Sequence, residues 1–296
     1  MSSAAPFGTV LTAMVTPFRE DGSVDLDGVQ RVAKHLVDHG HDGIVVSGTT
    51  GESATTTVVE DAETLAAVRD AVGDRAKVVA GVGTNDTRTT VELAEQAAKV
   101  GVDGLLLVTP YYNKPGQRGI LEHFRTAASA TDVPAMLYDV PGRTGSTIGF
   151  DAYREAITWD TVVAVKEATG DLARGTRLVD LGYAVYSGDD ALNLAWLAHG
   201  AVGVVSVVGH AAGDQLRALV DAVAAGDLAT ARQTYARMLP AIDAVMGVSN
   251  YGATTAKAAL ELLGVLDNRR VRQPLVALDD DEVAALRAGL AAAGLI

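Results

Sequence analysis

Gly104-Leu105-Leu106-Leu107-Val108-Thr109-Pro110-Tyr111-Tyr112 is a continuous apolar run that stops at a hydroxyl, a proline and a pair of phenols. So short a run without period-2 alternation reads as a strand buried on both faces, as in a parallel sheet covered by helices. Ile44-Val45-Val46 repeats the pattern upstream, and runs of the same kind occupy 8–18, 43–52, 76–84, 134–141, 162–169, 183–190 and 203–210. Between runs the apolar residues change to helical spacing, as at Val29, Val32, Ala33 and Leu36, and again at Val91, Leu93, Ala94, Ala97 and Ala98. Asp25 and Asp27 stand where the first helix needs an N-cap, and Gly40 where it should stop. Eight strand-like runs alternating with helices predict an α/β chain folded as a (β/α)8 TIM barrel, because eight parallel strands close on themselves. An open doubly wound sheet would want a Gly-rich dinucleotide turn after the first strand, and Val15-Thr16-Pro17-Phe18-Arg19 is not one. After His210 the strands cease and Ala/Leu-rich helical patterns follow at 214–225, 227–246, 254–263 and 280–293. The expected division is a barrel over 1–225 carrying the active site and a small C-terminal helical domain over 226–296.

Composition narrows the function. With 37 acidic against 24 basic residues the formal charge is −13, which argues against a nucleic-acid or anionic-membrane surface. The absence of cysteine removes disulfides, a thiolate nucleophile and Cys-ligated zinc or iron–sulfur sites. No apolar run approaches the ~20 residues of a membrane helix. Residues 1–7 lack the basic start and apolar stretch of a signal peptide. A soluble, cytoplasmic protein acting on small molecules is expected.

In such a barrel the C-terminal strand ends and the loops after them line the site. That collects Thr16, Thr49, Thr50, Glu52, Asn85, Tyr111, Tyr112, Tyr138, Arg143, Lys166, Glu167, Gly188, Asp189, Asp190 and Ser206, with Tyr186 in the seventh strand. Lys166 is the most informative. It interrupts Val162-Val163-Ala164-Val165, and alternation puts it on the side of Ala164. If that side is the interior, the amine is partly desolvated. An ordinary lysine, near pKa ~10.4, is protonated at pH 7, and lowering it by ~3 units takes about 4 kcal/mol, within what burial supplies. The neutral amine then makes a Schiff base with a ketone or keto acid; the competing reading is a lysine paired with a carboxylate at the barrel mouth. Ser47-Gly48-Thr49-Thr50-Gly51-Glu52-Ser53 is a Gly-punctuated turn with two adjacent hydroxyls, suited to an anion but lacking the Gly-Lys-Ser/Thr ending of a P-loop. Arg143, in Val140-Pro141-Gly142-Arg143-Thr144-Gly145, suits a substrate carboxylate, with an exposed loop arginine as the alternative. No metal site is expected: His39 and His41 lie in the loop leading into the second strand, and Asp189-Asp190 fits a helix cap better than a Mg²⁺ site.

The motifs Gly48-Thr49-Thr50-Gly51-Glu52, Thr109-Pro110-Tyr111-Tyr112-Asn113-Lys114-Pro115, Leu137-Tyr138-Asp139-Val140-Pro141-Gly142-Arg143-Thr144-Gly145, Val165-Lys166-Glu167-Ala168-Thr169-Gly170 and Ser187-Gly188-Asp189-Asp190 together resemble the dihydrodipicolinate synthase family. This family lies within the pyruvate-dependent class I aldolase and N-acetylneuraminate lyase superfamily, and the match runs in order from Val15-Thr16-Pro17 to the helical tail. The resemblance implies a lyase of lysine and diaminopimelate biosynthesis that condenses pyruvate with L-aspartate 4-semialdehyde. Pyruvate would be held as a Schiff base on Lys166, with no other cofactor. It implies a proton relay of Tyr138, Thr49 and Tyr112, the last reaching in from a neighbouring subunit. Thr50 would hold the pyruvate carboxylate and Arg143 that of the semialdehyde, with Gly188 and the backbone at Val205 lining the pocket. A homotetramer, as a dimer of dimers, is the implied assembly. Sialic-acid and keto-deoxy-sugar-acid lyases share the lysine, but Arg143 and the paired Thr49-Thr50 and Tyr111-Tyr112 favour the synthase. A non-catalytic sensing barrel would be expected to have lost Lys166 or the relay.

The chain departs from the family pattern twice. Members inhibited by lysine bind it in a region corresponding to Ser53, Ala54, Val58, Asp61, Asn85, Thr89 and Tyr111, commonly with imidazoles at the positions of Val58 and Asp61 and a carboxylate at that of Thr89. Weak or absent inhibition is therefore expected. Ser249-Asn250-Tyr251-Gly252-Ala253-Thr254-Thr255-Ala256-Lys257 also lacks the proline-containing pattern common in this tail, which leaves its contacts undetermined by the resemblance.

Overall fold

The structure, a computed structural model, describes residues 5–248 and 252–296. The first four residues of the stretch read for a signal peptide, and Ser249, Asn250 and Tyr251 of the divergent tail segment, lie outside the described residues. Eight strands, Val10–Ala13 (β1), Gly43–Val46 (β2), Lys77–Gly81 (β3), Gly104–Val108 (β4), Ala135–Asp139 (β5), Val162–Glu167 (β6), Ala184–Ser187 (β7) and Gly203–Ser206 (β8), pair in parallel and in order. β8 returns to β1 through Val10–Val204, Leu11–Val205 and Thr12–Ser206, so the barrel is closed as expected. Each strand is shorter than the run that predicts it, because the polar ends leave the ladder to form the loops of the mouth. Val15-Thr16-Pro17 lies beyond β1, and a proline has no N–H to give to the ladder.

The helices around the barrel are Leu26–Asp38 (α1), Val58–Val72 (α2), Thr87–Val100 (α3), Gln117–Ala128 (α4), Pro141–Thr144 (α5), Phe150–Ala156 (α6), Leu172–Asp180 (α7), Asn193–Ala198 (α8) and Gly209–Ala224 (α9). Asp25 holds the N-cap position of α1, but its side chain caps nothing; the carboxylate faces Arg19 at 3.7 Å and Arg31 at 3.5 Å instead. Leu228–Met246 (α10), Ala253–Leu262 (α11) and Asp280–Ala292 (α12) follow. Leu216 and Leu219 of α9, Met238 and Ile242 of α10, and Leu286 and Leu290 of α12 belong to one buried cluster that includes Val10 and Val204 of the barrel wall. Among the described residues no helix is long and apolar enough to cross a membrane.

Alternation along the strands sorts the core into two layers. Val165, Val185, Leu105 and Leu107 pack outward against the helices, while Leu11, Val45, Val79, Leu106, Met136, Ala164, Ala184 and Val205 fill the interior. Phe7 and Tyr186 close the floor. The Tyr186 hydroxyl accepts from the Phe7 N–H at 3.2 Å and donates to the Gly8 carbonyl at 3.0 Å. Gly104, at the start of β4, leaves room for this plug, since a Cβ there would overlap the Phe7 ring. Truncation by Phe7→Ala should open a cavity in the floor and cost about 3–5 kcal/mol. Equilibrium denaturation measures it, and an unchanged midpoint would show that the plug contributes nothing.

Candidate active site

The register of the strands brings the central side chains together. Tyr138 of β5 is paired with Lys166 of β6, which is paired in turn with Tyr186 of β7. Since Ala164 faces the interior, Lys166 two residues on does too, and it stands one layer above the apolar fill, 6% exposed. Its Nζ lies 4.3 Å from the centroid of the Tyr138 ring. Burial pulls the amine down to about 8; the Asp190 carboxylate opposes that fall and the Arg143 guanidinium assists it. At pH 7 roughly one amine in ten is then neutral, against about one in three thousand for an unperturbed lysine.

The backbone makes space for this amine at Gly188, where a Cβ would stand 3.1 Å from Lys166 Cε and 3.0 Å from the Ala168 Cβ. Asp190 is buried beside it and occupied elsewhere. It accepts from the Ser206 hydroxyl at 2.5 Å, from Asn193 at 3.1 Å, and from the Val207 and Val208 N–H groups at 2.8 and 2.9 Å, tying the loop after β7 to that after β8. Asp189 instead caps the short turn Asp190–Leu192 through the Ala191 N–H. Arg143 sits exposed on α5 at the mouth, within electrostatic reach of Lys166. Thr49 is exposed and Thr50 buried on the loop after β2, while Val205 faces the interior from β8. Tyr112, after β4, is 88% exposed in the single chain and holds a left-handed φ of +68°.

Three residues gathered from the sequence point elsewhere. Tyr186 reaches the floor. Glu167, next to Lys166, turns outward into a buried cluster with Asp139 and the Arg174 guanidinium, which lies 2.8 Å from Asp139 and 3.5 Å from Glu167. The Tyr153 hydroxyl donates to Asp139 at 3.2 Å. Burial lifts both carboxyls, Glu167 to about 7. Glu52 leaves the mouth for the tail: its Oε1 meets Lys257 Nζ at 2.5 Å and its Oε2 accepts the Arg272 N–H at 2.8 Å. Lys257 did not figure among the site candidates, although a lysine within Thr254-Thr255-Ala256-Lys257-Ala258-Ala259-Leu260 carries the same warning as Lys166 in its strand.

His41 is engaged on both ring nitrogens, with the Thr12 hydroxyl at 2.7 Å and the Leu36 carbonyl at 2.8 Å, and burial holds it down at about 4. Among the described residues no group of three His, Cys, Asp or Glu side chains is arranged to hold a metal.

Similar proteins share this architecture over their whole length. The model of the dihydrodipicolinate synthetase family matches residues 6–293. The 4-hydroxy-tetrahydrodipicolinate synthase of Kineococcus radiotolerans is 56% identical over 98% of this chain and 94% of its own. Among solved structures, the DHDPS of Cyanidioschyzon merolae with lysine bound has a TM-score of 0.94 at 40% identity, covering 99% of this chain and 100% of that one. The chloride-inhibited dihydrodipicolinate synthase of Acinetobacter baumannii complexed with pyruvate has a TM-score of 0.93 at 34% identity, with the same coverage. Likeness of this extent, in sequence and in the path of the chain, is that of common descent: the chain belongs to the dihydrodipicolinate synthetase family, as a lyase of the 4-hydroxy-tetrahydrodipicolinate synthase kind.

Proposed function

We propose that the chain condenses pyruvate with L-aspartate 4-semialdehyde through a Schiff base on Lys166. The observation that carries this reading is the desolvated amine at the barrel mouth, pulled down to about 8 and facing the Tyr138 ring. The neutral Nζ attacks C2 of pyruvate and water leaves, forming a protonated imine that serves as electron sink. Loss of a C3 proton gives the enamine, whose C3 forms the new carbon–carbon bond to the aldehyde carbon. The resulting alkoxide takes back a proton. The amino group of the semialdehyde unit then displaces Lys166 from C2, closing the ring and restoring the amine. No external cofactor enters, because Lys166 supplies the sink itself.

In this reading Tyr138, Thr49 and Tyr112 carry protons, Thr50 holds the pyruvate carboxylate and Arg143 the second carboxylate, with Gly188 and Val205 shaping the pocket. A phenol 88% exposed in the single chain, on a backbone with φ of +68°, supports Tyr112 completing the site of a neighbouring subunit. A cytoplasmic homotetramer, as a dimer of dimers, is the proposed assembly.

Purified protein should turn over only when both substrates are present, measured by coupling the product to an NADPH-dependent reductase. Borohydride should trap pyruvate on Lys166, and Lys166→Ala should abolish trapping. Trapping at a different lysine would overturn the mechanism, and an active coupling enzyme with no turnover would move the assignment to a lyase using another aldehyde.

Burial favours the unprotonated amine, so activity belongs to the high-pH side of its titration. The kcat/KM for pyruvate is expected to rise with pH through about 8 and then level off. A flat profile from weakly acidic to alkaline pH would remove Lys166 deprotonation from the rate.

We also propose weak or absent inhibition by lysine, since the Val58 side chain offers no hydrogen bond and that of Thr89 no charge to an ammonium. Thr89 donates instead to Asp86 at 3.3 Å. The condensation rate should stay above half in millimolar lysine; a halved rate would refute this.

A further inference from the structure

We infer that Lys257 of α11 is a positioning residue for the loop after β2: through Glu52 it fixes the turn that presents Thr50 to the pyruvate carboxylate and Thr49 to the proton relay. The inference rests on the proposed roles of those threonines and adds the group that sets them in place.

Glu52 is held at both ends. Its backbone N–H donates to the Thr49 carbonyl at 3.1 Å, and the neighbouring Ser53 N–H closes on the Gly48 carbonyl at 3.3 Å. The Gly51 carbonyl between them accepts from the Thr16 hydroxyl at 2.7 Å. The turn therefore moves with Glu52. The carboxylate is clamped by Lys257 at 2.5 Å, 205 residues away, and by the Arg272 N–H at 2.8 Å, 220 residues away. Lys257 gives a further hydrogen bond to the Arg270 carbonyl at 2.8 Å. Both cationic side chains lie over the Phe18 ring, Lys257 at 4.0 Å and Arg272 at 4.4 Å from its centroid.

Two considerations give this clamp a task beyond stability. The Lys257 and Glu52 side chains are each 1% exposed, and a buried ion pair gains little over an apolar pair of the same volume. What such a pair does supply is a unique geometry. The loop needs one, because Ser47 and Glu52 both hold left-handed φ values, +55° and +59°, which non-glycine residues keep only where their surroundings over-determine them. Without the Glu52 tether the turn has a less strained alternative, and adopting it would turn Thr49 and Thr50 away from the mouth.

The test is steady-state kinetics of Lys257→Met, Lys257→Arg and Glu52→Gln with both substrates varied. Lys257→Met and Glu52→Gln should raise the KM for pyruvate roughly tenfold and lower kcat through the displaced Thr49, while leaving the KM for L-aspartate 4-semialdehyde within about twofold, because Arg143 stands on a separate element. Lys257→Arg, which keeps the charge, should recover part of the loss. A soluble variant with a lower melting temperature but the wild-type pyruvate KM would overturn the inference, and so would equal weakening toward both substrates. If Lys257→Met fails to fold, Glu52→Gln decides by the same criteria. Borohydride trapping on the wild-type enzyme separates the two levels. Failure to trap pyruvate at Lys166 refutes the proposed mechanism, whereas normal trapping with an unmoved pyruvate KM in the variants refutes only the positioning role.

Discussion

A primary amine inside a parallel barrel is costly unless it is either neutralised or paired, and the mouth of this barrel is arranged around that constraint. Lys166 is given neither a hydrogen-bonded carboxylate of its own nor open water. The acid that affects it, Asp190, has its oxygens committed to the Ser206 hydroxyl, the Asn193 amide and two backbone N–H groups, so it tempers the ammonium without capturing it. The Tyr138 face supplies a second, weaker attraction for the cation. Burial and the Arg143 charge pull the other way. The balance leaves an amine that can exist in both protonation states near neutrality, which imine chemistry requires.

The same register serves two purposes through the simple alternation of a strand. Tyr138-Asp139 on β5 runs beside Lys166-Glu167 on β6, so the inward pair carries the proposed chemistry and the outward pair joins the strands to α7. Two carboxyls and one guanidinium behind the wall leave one negative charge in excess if both acids ionise. Burial first, and the Asp139 charge beside it second, raise Glu167 to about 7. A wall braced by Arg174 on one side keeps Tyr138 and Lys166 from drifting apart on the other.

Much of this was legible in the sequence, for geometric reasons. Continuous apolarity marked the strands, and period 2 put Lys166 with Ala164, which the interior packing bears out. What periodicity cannot say is which partner waits behind a strand or which end of the barrel a side chain seeks. Glu167 at the end of β6 and Glu52 in the loop after β2 stood at the right end of the barrel, yet their carboxylates go to Arg174 and Lys257, groups supplied by helices that local pattern does not connect to them. Tyr186 does stand in the seventh strand, but its hydroxyl goes to the floor because the backbone of Phe7 and Gly8 offers polar atoms there. Lys257 was missed because a lysine on a helix is ordinarily solvated; its uncharged neighbours over 253–260 were the available signal.

The plug of Phe7 and Tyr186 has a consequence for traffic. Among the described residues, a barrel closed below by Phe7 and Tyr186 and packed with aliphatic side chains in its middle is a blind vessel, open at its mouth. In the proposed reaction the water expelled as the imine forms has to depart through the doorway by which the aldehyde arrives. The order of events in that reaction, keto acid dehydrated to the imine before the aldehyde carbon is attacked, is set by the chemistry, and the closed floor leaves water and aldehyde to share one end of the barrel.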